Sequence, residues 1–387
     1  MVQMAAAVTT KVVLDGTHRT RAPEATWEWI RPRLSRMGIT RVADVTWLDD
    51  IGIPVFQAVR PNALTLSVSQ GKGLTPALAR VSAAMESVEL WHAEHPLPVA
   101  ASEVSAERME PVVGYAVEDL VLAPRHRLTP DTRLRWRRAQ RVDGVGESFL
   151  PMELLRLDAR VTPRWDPPLF RATSNGLASG NTLAEALLHG MYEVIERDTM
   201  TRAAHGSQLQ PVALESIVDA GPALLLERFR AAGVEVEVAF AHSAFPVPTF
   251  TAQIWSEAFP RAFTGSGTHL DSAVALSRAL TEAAQSRATA IAGARDDIGK
   301  SVYRQATSDG TRRSSRIGPR RDGRARVPFD SIDFLRLLDT DSELTHVARV
   351  IHGVTGHPPL YVDLTRPEIG IPVAHVVCPG AVFDVRH

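Results

Sequence analysis

One cysteine, Cys378, is the whole complement of a 387-residue chain, so no intrachain disulfide and no cysteine-based zinc cluster can form. That scarcity fits a reducing compartment, and the cytoplasm is the expected location. No sign of charge dominates either: 43 basic residues face 44 acidic ones, which argues against broad attraction to nucleic acid or to an anionic membrane. No run approaches the ~20 apolar residues of a membrane span, and MVQMAAAVTTKVVLDG lacks the basic start and apolar core of an export signal. What is present, 44% hydrophobic and 22% charged residues, suffices for one large domain or two coupled ones with a sizeable core.

Residues 1–18 read as a polar lead-in. PEATWEWIRPRLSRMG then places Trp27, Ile30 and Leu34 at helical spacing and stops at Gly38. TRVADVTWLDDIGIPVFQAVRP contains short β-rich runs broken by Asp-Asp, Gly and Pro, and strand material recurs at VEVEVAFAHS, VPTFTAQIWS and GIPVAHVVCPG. Helical patterns lie at 75–94, 183–200, 271–294 and 332–352. Long helices among scattered strands, without regular β-α-β spacing, predict an α+β fold rather than a doubly wound parallel sheet. Residues 304–326 hold eight arginines with Gly and Ser and little to bury, which predicts a surface loop; an electrostatic guide for an acidic peptide, a partner protein or phosphate is the functional alternative.

An internal repeat carries the most information. SQGKGLTPALARVSAAMESVELW aligns with GLASGNTLAEALLHGMYEVIERD at an offset of 107 residues, matching Gly73 with Gly180, Thr75 with Thr182, Ala79 with Ala186, Glu86 with Glu193 and Glu89 with Glu196. Each copy is a Gly-rich loop, a Thr at the helix start and Glu-x-x-Glu near the helix end. On the second helix Glu185, His189, Glu193 and Glu196 share an arc of ~80°, opposite Leu187, Met191, Val194 and Ile195. Ser82, Glu86 and Glu89 likewise share one side of the first.

A single Glu-x-x-Glu reads as the solvated face of an amphipathic helix. Three features move the reading elsewhere. Glutamates near a helix C-terminus oppose its dipole and repel one another, and Arg197 can neutralise one acid but not all. The motif occurs twice. Each copy also follows a glycine-rich entry to a helix, where backbone N–H groups can hold phosphate oxygens. Carboxylates beside a phosphate site suggest Mg²⁺. Neither loop has the spacing of a P-loop. His189 in E-x-x-x-H-x-x-x-E-x-x-E lacks the paired Glu-x-x-His helices of a di-iron bundle, and Cys378 in VVCPG reads as a packed thiol at a strand end.

SQGKGLTPALARVSAAMESVELWHAE, SNGLASGNTLAEALLHGMYEVIERD and LTEAAQSRATAIAGARDD together resemble the three signature regions of YcaO proteins, with similarity from about residue 19 to residue 380. GITRVADVTWLDDIGIPVFQAVRPNA further resembles the stand-alone branch encoded beside TfuA proteins. The resemblance implies one catalytic domain over 19–387 with the YcaO fold, an α+β architecture that binds ATP between the Glu-x-x-Glu helices. It implies Mg²⁺ contacts from Glu86, Glu89, Glu193 and Glu196, with Glu193, Glu196 and Arg197 at the catalytic centre. It implies a nucleotide site that includes Lys72, Ser82, Asn181 and Glu185. Gln285 and Arg287 would face the phosphates, and Arg19 and Thr26 match a basic and hydroxyl pair seven residues apart, although an ordinary helix entry explains Thr26 equally well.

The implied chemistry is activation of a backbone amide in a ribosomally made peptide. A nucleophile adds to the amide carbon, and phosphoryl transfer from ATP turns the oxygen into a leaving group, giving an azoline, an amidine or a thioamide. The chain ends AVFDVRH soon after Pro379-Gly380, without the proline-rich tail of many azoline-forming members. Thioamide formation with a TfuA-type partner therefore ranks first, and cyclodehydration to an azoline or macrocyclic amidine second. A non-catalytic nucleotide-binding scaffold is the reading from another class, against which the full set of glutamates argues. Expected partners are a ribosomal precursor peptide, a TfuA-type or peptide-recognition protein, and a second copy in a homodimer, but neither nucleic acid nor membrane.

Overall fold

The computed structural model describes residues 10–96, 102–160, 167–204, 208–295, 297–298 and 325–384; all but the last two residues of the Arg-rich stretch 304–326 lie outside them. Among the described residues, seven α-helices occur: α1 (Pro23–Ile30), α2 (Pro76–Glu94), α3 (Ala106–Val113), α4 (Leu183–Ala204), α5 (Ala220–Ala231), α6 (Ser272–Ala292) and α7 (Thr340–Thr355). No helix among these residues is long and apolar enough to cross a membrane.

Local chemistry sets the helix ends. Thr75 Oγ1 accepts from the Leu78 amide at the start of α2, and Thr182 Oγ1 from the Glu185 amide at the start of α4. Asp271 and Asp339 do the same for α6 and α7, which end at Gly293 and Gly356 in left-handed backbone. Two expected helices are shorter than their patterns. Pro32 removes a backbone donor, so α1 tightens into a 3₁₀ segment over Arg31–Met37. The apolar run after Ile332 is not helical before the Asp339 cap, and the Leu335 amide instead donates to the Leu270 carbonyl at 2.9 Å.

The strands form a hairpin and three sheets. β1 (Val12–Leu14) and β2 (Thr17–Arg19) make the hairpin, and β3 (Arg41–Asp44), β4 (Val55–Val59) and β5 (Val68–Lys72) a three-stranded sheet. The six-stranded sheet contains β6 (Ser102–Ser105), β7 (Arg133–Arg141), β8 (Glu147–Pro151), β9 (Leu177–Ser179), β15 (Leu360–Asp363) and β16 (Val373–Val377). The five-stranded sheet contains β10 (Leu209–Ala213), β11 (Glu235–Ala241), β12 (Thr249–Trp255), β13 (Phe263–Thr268) and β14 (Val327–Pro328). Among the described strands only β10 and β14 pair in parallel, so the architecture is α+β as the sequence predicts.

Part of the expected lead-in is folded. Lys11, just before β1, donates to the Leu337 carbonyl at 2.8 Å and to the carboxylate of Glu343 on α7, so the packed domain begins at least as early as the hairpin.

Helices α2, α4 and α6 each follow a strand and lie against a sheet: α2 on β4 and β5, α4 on β9 and β16, α6 on β12 and β13. Two glycines allow the closest approaches. A Cβ on Gly71 in β5 would stand 1.9 Å from the Ala83 nitrogen and 2.3 Å from the Ala79 oxygen, and one on Gly267 in β13 would stand 2.1 Å from the Ala275 oxygen. Backbone atoms of a packed helix cannot yield cheaply, so a side chain at either place must push the strand away. Gly71→Ala should therefore lower unfolding free energy by about 2–4 kcal/mol, read by denaturant titration, whereas Gly353→Ala, with nothing within 4 Å of its Cβ, should leave stability unchanged or raise it by a few tenths of a kcal/mol.

Candidate functional site

Three strand-to-helix units, β5–α2, β9–α4 and β13–α6, line one cleft of about 630 Å³. Counting from the capping residue, the eleventh and fourteenth positions are Glu86 and Glu89 after Thr75, Glu193 and Glu196 after Thr182, and Glu282 and Gln285 after Asp271. All six side chains line the cleft.

Each unit holds a carboxylate of another. Ser179 at the end of β9 donates its hydroxyl and amide to Glu89 Oε1 at 2.6 and 2.8 Å. Ser266 on β13 donates its hydroxyl to Glu196 Oε1 at 2.8 Å. Lys72 at the end of β5 pairs with Glu282. The contacts close a ring: strand two to helix one, strand three to helix two, strand one to helix three. Backbone amides add to it, Gln70 N to Glu86 Oε2 at 3.1 Å and Ser266 N to Glu282 Oε1 at 3.4 Å.

The N-terminal hairpin and α1 close one end. Thr26 Oγ1 donates to Asn181 Oδ1 at 2.8 Å, and Asn181 Nδ2 donates to the Glu185 carboxylate at 3.2 Å. Thr20 donates its amide and hydroxyl to Glu185 Oε2 at 3.1 and 2.7 Å, and Arg19 Nε lies 3.4 Å from Glu185 Oε1. Ser82 and Arg197 also line the cleft, with Arg197 Nε 3.9 Å from Glu193 Oε1.

Burial and like charge act together on these acids. Glu89 is pushed up to about 8 by burial, with Glu86 and Glu193 adding repulsion against the Ser179 hydrogen bonds. Burial likewise raises Glu193, to about 7, despite Arg197, and raises Glu86 and Glu196. Burial would also raise Glu282, but Lys72 and Arg197 outweigh it and hold this carboxyl below its ordinary value. Burial and neighbouring Arg19 lower Arg278 to about 10. His189 is held well below its usual value by burial and then by Arg278, which leaves a neutral imidazole.

Every singled-out residue except Arg287 lines the cleft. Gln285 and Arg287 are two positions apart on α6, a turn of about 200°, so they occupy opposite faces. Arg287 is instead buried against Asp49, with Nε 2.9 Å from Oδ2 and Nη2 3.1 Å from Oδ1, and donates to Ser256 Oγ. The expectation that it faces the phosphates is corrected: its donors are committed to a structural ion pair. Five charged residues that line the cleft were missed: Asp15, Arg21, Arg278, Glu282 and Arg295. The signal for two of them was present, since Arg278, Glu282 and Gln285 are spaced four and three apart and so share a helix face.

The sequence model of a protein family described as YcaO cyclodehydratase, ATP- and Mg²⁺-binding, matches residues 70–382. The chain belongs to the YcaO family. An uncharacterised protein of Mycobacterium tuberculosis is 38% identical over 373 residues, 95% of this chain and 83% of that protein. An uncharacterised protein encoded in the tfuA 3′ region of Rhizobium leguminosarum bv. trifolii is 33% identical over 394 residues, 96% of this chain and 90% of that protein. It is consistent with the stand-alone TfuA-associated branch. The structure of YcaO from Methanopyrus kandleri, bound with AMPPCP and Mg²⁺, has the same fold, with a TM-score of 0.73 at 24% identity over 96% of this chain and 94% of that one.

The residues present fit the YcaO cofactors, ATP and Mg²⁺. Among the described residues no three His, Cys, Asp or Glu groups form a self-sufficient metal cluster. Mg²⁺ takes one or two carboxylates and completes its octahedron with substrate phosphates and water, and Glu86, Glu89, Glu193 and Glu196 line the cleft. Repulsion among the buried acids would be relieved by a divalent cation, and Lys72, Arg197, Arg278 and Arg295 supply positive charge for a polyphosphate in the same cleft.

Arg287→Ala should leave Asp49 buried without its partner and cost about 3–5 kcal/mol of stability by denaturant titration, while the folded variant still binds MgATP in a calorimetric titration. For the ring contact, Lys72→Met and Glu282→Gln should each weaken MgATP binding by about tenfold, and the double variant should be little worse than either alone. Additive losses would mean that the two side chains act separately.

Proposed function

We propose that this chain activates the oxygen of a backbone amide during maturation of a ribosomally synthesised peptide, with a thioamide as product and a TfuA-type protein as partner. At the coarser level, membership of the YcaO family makes it an ATP-dependent peptide-modifying enzyme. The observation that carries the reading is the convergence, in one cleft, of two Glu-x-x-Glu pairs with Lys72, Arg197 and Arg278.

Glu86, Glu89, Glu193 and Glu196 are metal ligands in this reading rather than general bases. Asn181, Glu185, Arg19 and Thr26 position the nucleotide as one hydrogen-bonded group, with Ser82, Lys72 and Gln285 along the same wall. When bound, Mg²⁺ and ATP supply a γ-phosphoryl group that turns the amide oxygen into a phosphate leaving group. Arg197 stands next to Glu193 and opposes negative charge that builds up on the amide oxygen as a nucleophile adds to its carbon. With sulfide as nucleophile, the carbon–sulfur bond forms, the carbon–oxygen bond breaks and a thioamide remains.

The similar Rhizobium protein, encoded beside tfuA, supports the TfuA-type partner and with it the thioamide. The family's description as a cyclodehydratase favours the second reading, closure by a side chain or amine to an azoline or amidine.

Product mass separates them. With a candidate precursor peptide, MgATP and sulfide, a sulfide-dependent gain of about 16 Da is expected, whereas a loss of about 18 Da without sulfide would assign cyclodehydration. Glu193→Gln should lower either reaction by about 10²-fold or more in kcat. Nucleotide binding without hydrolysis or mass change, in the presence of both peptide and partner, would replace both readings with a scaffold.

A further inference from the structure

Several large apolar side chains that the fold leaves exposed gather beside one end of the cleft. Val13 is 68% exposed, Val218 81%, Phe334 55% and Leu338 79%. Distant segments bring them together. The Lys11 amide donates to the Leu338 carbonyl at 3.3 Å, which lays the start of β1 alongside Leu338. Arg336 links the others: its Nη2 lies 3.9 Å from Asp219, the neighbour of Val218, and its guanidinium carbon 5.2 Å from the centre of the Phe334 ring. Scattered exposed apolar residues need no explanation, but exposed apolar side chains on segments held side by side mark a surface that something covers.

The rim says what kind of molecule. Asp15, Asp333 and Asp341 are exposed and Asp219 is partly so, while Arg336, a base beside them, is shared between Asp219 and Asp271. Lys11 is buried against Glu343. A second copy docking through this face would set aspartate against aspartate, so the complementary occupant is apolar and basic. Position narrows it further. Asp15 and Gly16, in the turn between β1 and β2, and Thr17 at the start of β2 line the cleft itself, and a Cβ on Gly221, two residues beyond Asp219, would stand 3.7 Å from Asp15. The segments that carry these apolar side chains therefore border the cleft.

We propose that this face docks a segment of the precursor peptide outside the modified residue, one carrying aliphatic or aromatic side chains interspersed with Lys or Arg. The inference rests on the peptide-substrate reading above. Such a segment buries apolar side chains on Val13, Val218, Phe334 and Leu338, meets the aspartates with its charges, and delivers the following amide past the β1–β2 turn. Attachment away from the reacting atoms raises the effective concentration of the target amide without touching the acids.

The test uses the full chain and three fluorescently labelled synthetic peptides, alternating Leu with Lys, Leu with Glu, and Ser with Lys. Anisotropy should show binding of the Leu/Lys peptide alone, weakening as salt rises. Phe334→Ser with Leu338→Ser, and separately Asp333→Lys, should each weaken it by about tenfold or more, with the thermal midpoint and MgATP binding unchanged. Equal binding of Leu/Lys and Leu/Glu peptides, or no loss in Asp333→Lys, overturns the inference. Its failure is distinct from that of the proposed reaction: mass change in a precursor without Leu/Lys binding removes the docking face alone, and binding without any mass change removes the reaction alone.

Discussion

Carboxylates from three helices face one another across a half-buried cleft in which water screens them poorly, and much of the surrounding architecture answers that repulsion. Strands must come close enough for Gln70 and Ser266 amides to reach Glu86 and Glu282, which is why Gly71 and Gly267 lie where no side chain fits. The bonds from Ser179, Ser266 and Lys72 each tie an acid of one unit to a strand of another, so no helix can withdraw its carboxylate without disturbing a second unit. The protein's own cations offset only part of the charge, and Lys72 and Arg197 keep Glu282 alone below its ordinary range. The remainder is a standing demand for a divalent cation, as expected of a family that binds Mg²⁺ with ATP.

The third unit departs from the other two in a chemically coherent way. Where α2 and α4 present a second glutamate, α6 presents Gln285, and its remaining acid is already paired to Lys72. Two walls of the cleft thus offer pairs of acids suited to metal, while the third offers a neutral amide, a neutralised acid and Arg278, a surface suited to anionic oxygens. The outward face of the same helix does mechanical work. Arg287 clamps Asp49 and Ser256 and fixes the loop after β3 against the five-stranded sheet.

Features confined to one helix were the most legible in the sequence. Glu86 with Glu89, and Glu193 with Glu196, stand out because a cap, a glycine and two acids recur at fixed spacing, and helical periodicity puts each pair on one side. The α+β class followed from strand material without regular crossovers. What escaped detection involved substitution or distance. Asp271 caps α6 in place of a threonine, Gln285 replaces a glutamate, and Gly267 lies four residues before its cap where Gly73 lies two, so α6 does not align with the others by eye. The ring contacts join residues 90, 70 and 210 positions apart, which no local spacing encodes. Arg287 was misread because its sequence neighbour Gln285 does line the cleft; two residues along a helix is enough to reverse direction.

The bond from Lys11 to Glu343 spans 332 residues, and the hairpin it anchors carries the Arg19 and Thr20 groups that hold Glu185. During synthesis the hairpin emerges well before its anchor on α7, so this wall of the cleft cannot lock until the 332 positions that separate the two have left the ribosome. A nascent chain therefore carries the acids of α2 and α4 without a closed site around them, and competence to act on another ribosomal product arrives only after α7 has emerged.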